Sequence, residues 1–167
     1  LTYLLIRSEI EPFIKLLPKH RVRAVLIHEV LTELVIAYNM AELYEELERN
    51  VEKDLGVGFG IETRNIAIAK KWLNEHGFKP AYIMTPINAL GYQMAPSKEE
   101  AEEAVSELSS HSKIIAINVL ASGALTLDQA IEYLLMLRHK VHAIAIGTSK
   151  PWRARENFMK LREVLKV

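Results

Sequence analysis

Residues 143–157 read Ala-Ile-Ala-Ile-Gly-Thr-Ser-Lys-Pro-Trp-Arg-Ala-Arg-Glu-Asn. The first five, 143–147, form a nearly continuous apolar run, which is typical of a parallel strand buried on both faces. Pro151 then lies in the first turn of a predicted helix, 151–165, where a missing backbone N–H costs nothing. The segment therefore predicts one strand–loop–helix unit.

The same unit recurs through the chain, because short β-branched segments alternate with longer segments in which apolar residues have helical spacing. The predicted strands are 23–29, 56–62, 81–88, 114–121 and 143–147, with a sixth, weaker pattern at 3–6. The predicted helices are 9–19, 32–53, 65–76, 97–108, 126–138 and 151–165. Ser97 and Thr126 open two of these helices with the spacing of capping boxes. Strict alternation predicts βα units and a parallel sheet.

Two architectures show this alternation: an open doubly wound sheet and a (β/α)8 barrel. A nucleotide-binding doubly wound sheet carries a G-x-G-x-x-G turn after its first strand, and the sequence contains none. Polar residues instead follow nearly every predicted strand, and these are His28, Glu29, Glu62, Thr63, Asn88, Asn118, Thr148 and Ser149. A barrel builds its site from such a ring of side chains at one mouth, so the sequence favours the (β/α)8 TIM-barrel type. Because that barrel takes about 250 residues, we expect a single partial barrel domain over 1–167, without the first two or three βα units.

The composition excludes several classes of protein. Half of the 167 residues are hydrophobic, and 21 basic residues balance 21 acidic ones. A neutral chain lacks the basic surface of a nucleic-acid-binding protein, and the apolar segments are too short to span a membrane. The absence of cysteine excludes thiolate metal sites and thiol nucleophiles, and the histidine spacing predicts no metal site. We expect a cytoplasmic protein with a small-molecule or phosphate-containing ligand.

A partial barrel leaves two open sheet edges. Unpaired N–H and C=O groups on such edges favour pairing with another chain. If the natural chain begins at Leu1, we therefore expect a homo-oligomer or an edge that another element covers.

The strongest functional pattern follows the last predicted strand. Residues 147–149 precede a helix that opens with proline, so several backbone N–H groups and the positive helix end point to one place, which suits a phosphate. Ser122 and Gly123 offer a second close backbone approach after the preceding strand, and Arg153 would add a bidentate contact. The alternative is that the hydroxyl side chains only cap the helix and that Arg153 is a solvated surface residue.

His28 and Glu62 are the candidate catalytic residues. In a barrel mouth His28 would act as a hydrogen-bond donor or an acid–base group, whereas in a core it would bond a carbonyl. Glu62 ends another buried strand, where it would pair with a cation, act as a base, or accept from a neighbouring amide. Asn88 and Asn118 end the next two strands and would bind a ligand's donors and acceptors, although asparagine is also common in turns and caps.

The last third of the sequence resembles the end of the aldo/keto reductase barrel. The segments that carry the resemblance are Ile-Ile-Ala-Ile-Asn-Val-Leu-Ala-Ser-Gly-Ala-Leu (114–125) and Ala-Ile-Ala-Ile-Gly-Thr-Ser-Lys-Pro-Trp-Arg-Ala-Arg-Glu-Asn-Phe (143–158). They are similar to the seventh and eighth strands of that family and the loops that follow. Earlier segments agree more loosely, and the resemblance implies strands four to eight of the barrel.

The resemblance implies an NADP-dependent oxidoreductase that reduces small carbonyl compounds. It places His28 where the family orients the substrate carbonyl. The residues that it places against the adenosine phosphate and adenine of NADP are Gly147, Thr148, Arg153, Glu156 and Asn157. Glu62 and Thr63 stand in place of the pair that contacts the nicotinamide amide, and Ile117 stands in place of the stacking tyrosine. The family's catalytic aspartate, tyrosine and lysine belong to strands two and three, which have no counterpart here.

Three interpretations remain open. The first is an aldo/keto-reductase-like barrel that binds NADP through its last two βα loops and reduces a carbonyl with the help of residues outside this sequence. The second is a barrel relative without a redox site that binds a nucleotide or phosphate metabolite, or acts through a partner, and Ile117 and Glu62 favour it. The third is a truncated product with no catalytic site of its own, so the sequence leaves open whether the chain is an enzyme.

Overall fold

The computed structural model describes residues 2–18 and 21–165 of the chain. Helices and strands alternate along these residues. They are α1 (Thr2–Leu16), β1 (Ala24–Ile27), α2 (Glu29–Ala37), α3 (Ala41–Asn50), β2 (Gly58–Glu62), α4 (Ile66–His76), β3 (Tyr82–Pro86), α5 (Lys98–Leu108), β4 (Lys113–Ile117), α6 (Leu127–Met136), β5 (Ala143–Ile144) and α7 (Pro151–Leu165).

The strands form one sheet in the order β1-β2-β3-β4-β5, and each neighbouring pair is parallel. Crossovers between parallel strands are right-handed. When each new strand is added on the same side of the one before, the connecting helices therefore all lie on one face of the sheet. In a doubly wound sheet the direction in which strands are added reverses, and helices cover both faces. The observed order is that of a barrel wall, which confirms the predicted α/β class and barrel type.

The hydrophobic core lies between one face of the sheet and the helices. Strand side chains alternate between the two faces, and those on the core face are buried: Val25, Ile27, Phe59, Ile61, Ile83, Ile114 and Ala116. The helices contribute Leu47, Leu73 and Leu108, none of which is exposed to solvent. Burial of each large apolar side chain stabilises the fold by about 1.5–3 kcal/mol.

The opposite face of the sheet is only partly covered within the described residues. We call it the open face, and its half-buried apolar residues are Leu26, Tyr82, Met84, Ile115 and Ile117. In a closed barrel this face lines the interior. Its upper end, where the parallel strands finish, is the end at which barrel sites are built.

The predicted strand 3–6 is wrong, and the predicted helix 9–19 has different bounds in the structure. Residues 3–6 belong to α1 rather than to a strand, because a short apolar run does not distinguish the two structures and the apolar spacing continues to Ile10 and Ile14, which pack against the core. The predicted helix 9–19 accordingly begins at residue 2 and ends at residue 16, and its position 19 lies outside the described residues.

The predicted helix 32–53 is divided in two. Asn39 has a left-handed backbone (φ 52°) between α2 and α3, and its side-chain oxygen accepts a 2.8 Å hydrogen bond from the indole of Trp72. After α3 the chain makes a π-helical turn, Val51–Leu55, which ends at Gly56 with φ 66°. A contact with a side chain 33 residues away thus holds a break that the local pattern does not show.

The helix starts agree with the predicted capping more closely. Thr126 and Gln129 form a complete capping box, in which each side chain bonds the other residue's backbone N–H. Ser97 accepts from the backbone N–H of Glu100, while the Glu100 carboxylate accepts from the Ser97 hydroxyl instead of the backbone. At the end of the sheet β5 is shorter than predicted, Ala143–Ile144 in place of 143–147.

The stability of the protein should respond in opposite ways to loss of the hydroxyl group at two buried tyrosines. Tyr44 on α3 lies edge-on to Phe59 with ring centroids 5.3 Å apart, and its buried hydroxyl has no hydrogen-bond partner among the described residues. The Tyr133 hydroxyl on α6 donates to the Glu102 carboxylate. Burial raises the pKa of both phenols, so each is a neutral donor at physiological pH.

We expect Tyr44→Phe to leave the free energy of unfolding unchanged or to raise it by up to about 1 kcal/mol, because it removes an unpaired buried donor. Tyr133→Phe is the matched control and should lower it by about 1–2 kcal/mol, since Glu102 loses its donor. Urea denaturation measures both values. Equal losses in the two variants would show that the Tyr44 hydroxyl has a partner.

Candidate functional site

The candidate site lies at the carboxyl end of the sheet. Parallel strands all finish at this edge, so the loops that follow them are brought together there. The residues that the sequence predicts for the site lie at or beyond the ends of β1 to β5, and they are His28, Glu62, Asn88, Asn118, Ser122, Gly123, Gly147, Thr148, Ser149, Arg153, Glu156 and Asn157. Glu62 is the last residue of β2, and the next residues of the list come after β3 and β4. The final six belong to the loop after β5 and to α7.

His28 and Glu62 occupy neighbouring positions. β1 pairs with β2 up to Ile27 and Ile61, and His28 and Glu62 each come directly after this last pair of partner residues. The exposed His28 also caps α2, and its Nδ1 accepts from the backbone N–H of Val30 at 3.3 Å. The neutral ring therefore carries its proton on Nε2, which leaves a donor for a ligand.

A polar network lies behind this pair. The Glu33 carboxylate on α2 accepts from the Thr63 hydroxyl at 2.6 Å and from the Arg64 backbone N–H at 3.2 Å. Thr63 is fully buried, and its oxygen also accepts from the Asn65 N–H at 3.0 Å. The Thr63 hydroxyl is thus engaged within the protein. Sequence reasoning missed Glu33, which lies in mid-helix and carries no local signal for this contact.

Arg64 supplies a cation that the sequence analysis did not identify. Its guanidinium forms an ion pair with Glu29, and this hydrogen bond, together with the charge of Glu62, raises the pKa of Arg64 above its ordinary value. The backbone carbonyl of Arg64 accepts from Ala95 at 3.0 Å, which ties the loop after β2 to the loop after β3. The only available signal was its position, two residues beyond a strand end.

Asn88 and Asn118 organise the loops in which they lie. The buried Asn88 amide accepts from the N–H of Tyr92 at 2.8 Å and donates to the carbonyl of the same residue at 2.9 Å. Asn118, with φ 52°, donates to the side-chain oxygen of Gln93, which has φ 58°. These bonds shape the loop after β3 over the edge of the sheet. A direct role of either amide in ligand binding stays a prediction.

The loop after β4 has an unusual backbone. Ala121, Ser122 and Gly123 have φ values of 45°, 58° and 93° in succession, and only glycine adopts such values without strain. Ser122 and Gly123 are exposed, and open space lies where a Gly123 side chain would be. Strained, exposed backbone is typical of functional loops, and this loop adjoins the one that follows β5.

The loop after β5 leads into a basic helix start. Gly147, Thr148 and Ser149 are exposed, and the Thr148 oxygen accepts from the Lys150 N–H at 3.4 Å. Lys150 and Arg153 flank the ring of Trp152, with their charged groups 5.9 and 5.1 Å from its centroid. The first turn of α7 contains no acidic residue.

The charges at the start of α7 are the reverse of those usually found at a helix N-terminus. The positive end of the helix dipole favours acidic side chains and disfavours cations. An anion bound at the start of α7 would offset that cost. In the next turn Glu156 is exposed and Asn157 half-buried.

Two features are absent from the part of the chain that the structure describes. Over 2–18 and 21–165 there is no cluster of three metal-ligating side chains. In the same residues no helix has both the length and the apolar character needed to cross a membrane.

No protein-family model matches the sequence, and no curated protein matches it either. A solved structure that is similar is that of a Pseudomonas aeruginosa protein whose assignment as an aldo-keto reductase is provisional. The TM-score is 0.68 at 22% sequence identity, over 95% of this chain and 58% of the other. At this identity the likeness shows the fold alone: the chain shares the parallel α/β fold of that protein and spans somewhat more than half of its length.

Proposed function

We propose that the chain binds the adenosine-phosphate half of an NADP-type nucleotide at the loops after β4 and β5, as part of an aldo/keto-reductase-like barrel. The observation that carries the proposal is the basic start of α7, where Lys150 and Arg153 lie at the positive helix end beside the exposed backbone of residues 147–149. Helix N-termini with free N–H groups bind phosphates, and arginine adds a planar contact. The resemblance in 143–158 supports the same assignment.

The residues fit the two halves of the nucleotide unequally. The exposed Ser122, Gly123 and Gly147 leave room for a phosphate to approach the backbone. At the nicotinamide end Ile117 offers an aliphatic surface without a ring for stacking, and the Thr63 hydroxyl is engaged by Glu33. The adenosine-phosphate half is therefore better supported than the nicotinamide half.

A more specific form of the proposal is that the barrel reduces carbonyl compounds. Bound NADPH would supply the hydride. In this chain His28 would donate from Nε2 to a substrate carbonyl, and Glu62, at the end of the adjacent strand, would act as a base. The aspartate, tyrosine and lysine that the resemblance requires would come from residues outside this sequence.

A second candidate function has its own support. Ile117 and the engaged Thr63 hydroxyl favour a barrel that binds a nucleotide or phosphate metabolite without redox chemistry. Both candidates use the same phosphate site, so they differ only in whether a nicotinamide ring is seated.

Titration with NADPH and with 2′,5′-ADP tests both candidates. We expect 2′,5′-ADP to bind with an affinity that falls as salt is added, and Lys150→Gln/Arg153→Gln to weaken it at least tenfold, since charge-assisted hydrogen bonds contribute about 1.5–3 kcal/mol each. Arg162→Gln, at the far end of α7, is the matched control and should bind like the wild type.

The nicotinamide fluorescence separates the candidates. Saturable enhancement that 2′,5′-ADP reverses means that the whole cofactor is seated. Binding of 2′,5′-ADP with no nicotinamide signal selects the second candidate. If neither ligand binds, or if the double variant binds as well as the wild type, the phosphate site is refuted.

A further inference from the structure

A cavity of about 360 Å³ lies on the helix-covered side of the sheet, between α6, β5 and α7. Leu134, Ile144 and Leu161 form its apolar wall, and the half-exposed Phe158 lies at its rim. This volume falls within the roughly 300–1,000 Å³ of small-molecule sites.

Among the described residues, three basic side chains line the same cavity, namely Arg138, His142 and Arg162, and no acidic side chain does. Across the described part of the chain neither arginine pairs with a carboxylate; Arg138 donates to the ring of its neighbour His139. His142 accepts from the Ile114 N–H through Nδ1 at 3.1 Å, so its Nε2 carries the proton of the neutral ring. The polar side chains that line the cavity can therefore all donate to a ligand.

We propose that this cavity binds a small carboxylate with an unbranched hydrocarbon chain, of the size of a medium-chain fatty acid. The apolar wall removes the hydrocarbon from water, and an arginine fork matches a carboxylate with two parallel hydrogen bonds. Two arginines without carboxylate partners supply the charge that such a ligand would neutralise.

The cavity is separate from the proposed nucleotide site. Val141 and His142 precede β5, whereas residues 147–149 follow it, and five extended residues span roughly 16 Å. Arg162 likewise belongs to the last turn of α7 and Lys150 precedes its first. The two sites therefore lie at opposite ends of the same strand and helix. An experiment can refute either proposal and leave the other standing.

Calorimetric titration with octanoate, against octan-1-ol as its uncharged counterpart, tests the proposal. We expect saturable octanoate binding, at least tenfold tighter than that of octan-1-ol. Arg138→Gln/Arg162→Gln should weaken octanoate binding at least tenfold, and because both arginines are exposed thermal unfolding should confirm that the variant folds. Lys150→Gln/Arg153→Gln is the matched control and should bind octanoate normally.

Methyl NMR locates the ligand. Octanoate should shift the methyl signals of Ile144 and Leu161 at the cavity and leave that of Ile115 on the open face unchanged. The proposal is overturned if octanoate does not bind, if octan-1-ol binds equally well, if the arginine variant binds as the wild type does, or if Ile115 shifts in place of the cavity residues.

Discussion

Replacing Gly60 with alanine is expected to lower the free energy of unfolding by about 2–3 kcal/mol, the cost of forcing extra volume into a packed site. Gly60 lies in the middle of β2 and pairs with Tyr82 of β3. An added Cβ would stand 2.7 Å from the Tyr82 carbonyl oxygen, 2.8 Å from Cγ of Leu26 and 3.0 Å from Cβ of Tyr82. Leu26 can move, but the carbonyl belongs to the paired backbone, so β2 and β3 must separate to admit the methyl group.

Gly147→Ala is the matched control for this prediction. It also adds one methyl group at a glycine without positive φ, but nothing lies within 4 Å of the new carbon. We expect a change of no more than about 0.5 kcal/mol, as for a surface substitution. Urea denaturation compares the variants. A Gly60→Ala protein as stable as the Gly147→Ala protein would show that β2 and β3 have space between them.

Asn88→Ala is expected to lower the free energy of unfolding by about 2–3 kcal/mol, because two hydrogen bonds inside the protein lose their partner. The Asn88 amide holds the N–H and the carbonyl of Tyr92, and it is fully buried. The loop after β3 should loosen as well. Amide hydrogen exchange at Tyr92 should therefore be faster in the variant. The increase should exceed the one that the lower global stability of the variant accounts for.

Asn74→Ala serves as the control for Asn88→Ala. Asn74 is an exposed asparagine on α4 that donates to Glu107 at 2.9 Å, and its loss should change stability by no more than about 0.5 kcal/mol. If Asn88→Ala is as mild, the loop is held by other contacts, and the predicted role of Asn88 in ligand binding becomes the better account of this residue.

The sequence by itself determined the type and order of most elements, because their patterns are local. β1 to β5 all overlap the predicted strands, since continuous apolar runs are characteristic of parallel strands. α4 to α7 begin within a residue of prediction, since Asn65, Ser97 and Thr126 cap their own helices and Pro151 begins the last. The gathering of polar residues at one edge follows from parallel topology alone, so the place of the candidate site was predictable.

The tertiary structure decided what depends on residues far apart in the chain. The break at Asn39 is held by Trp72, and the Thr63 hydroxyl is held by Glu33, 30 residues away. Residues of α6, β5 and α7 line the cavity, and no sequence motif marks its two arginines. Periodicity and caps report on the nearest turn of chain, whereas these contacts arise only after the sheet and helices pack. The sequence therefore located the edge of the site, and only packing determined which side chains remain available there.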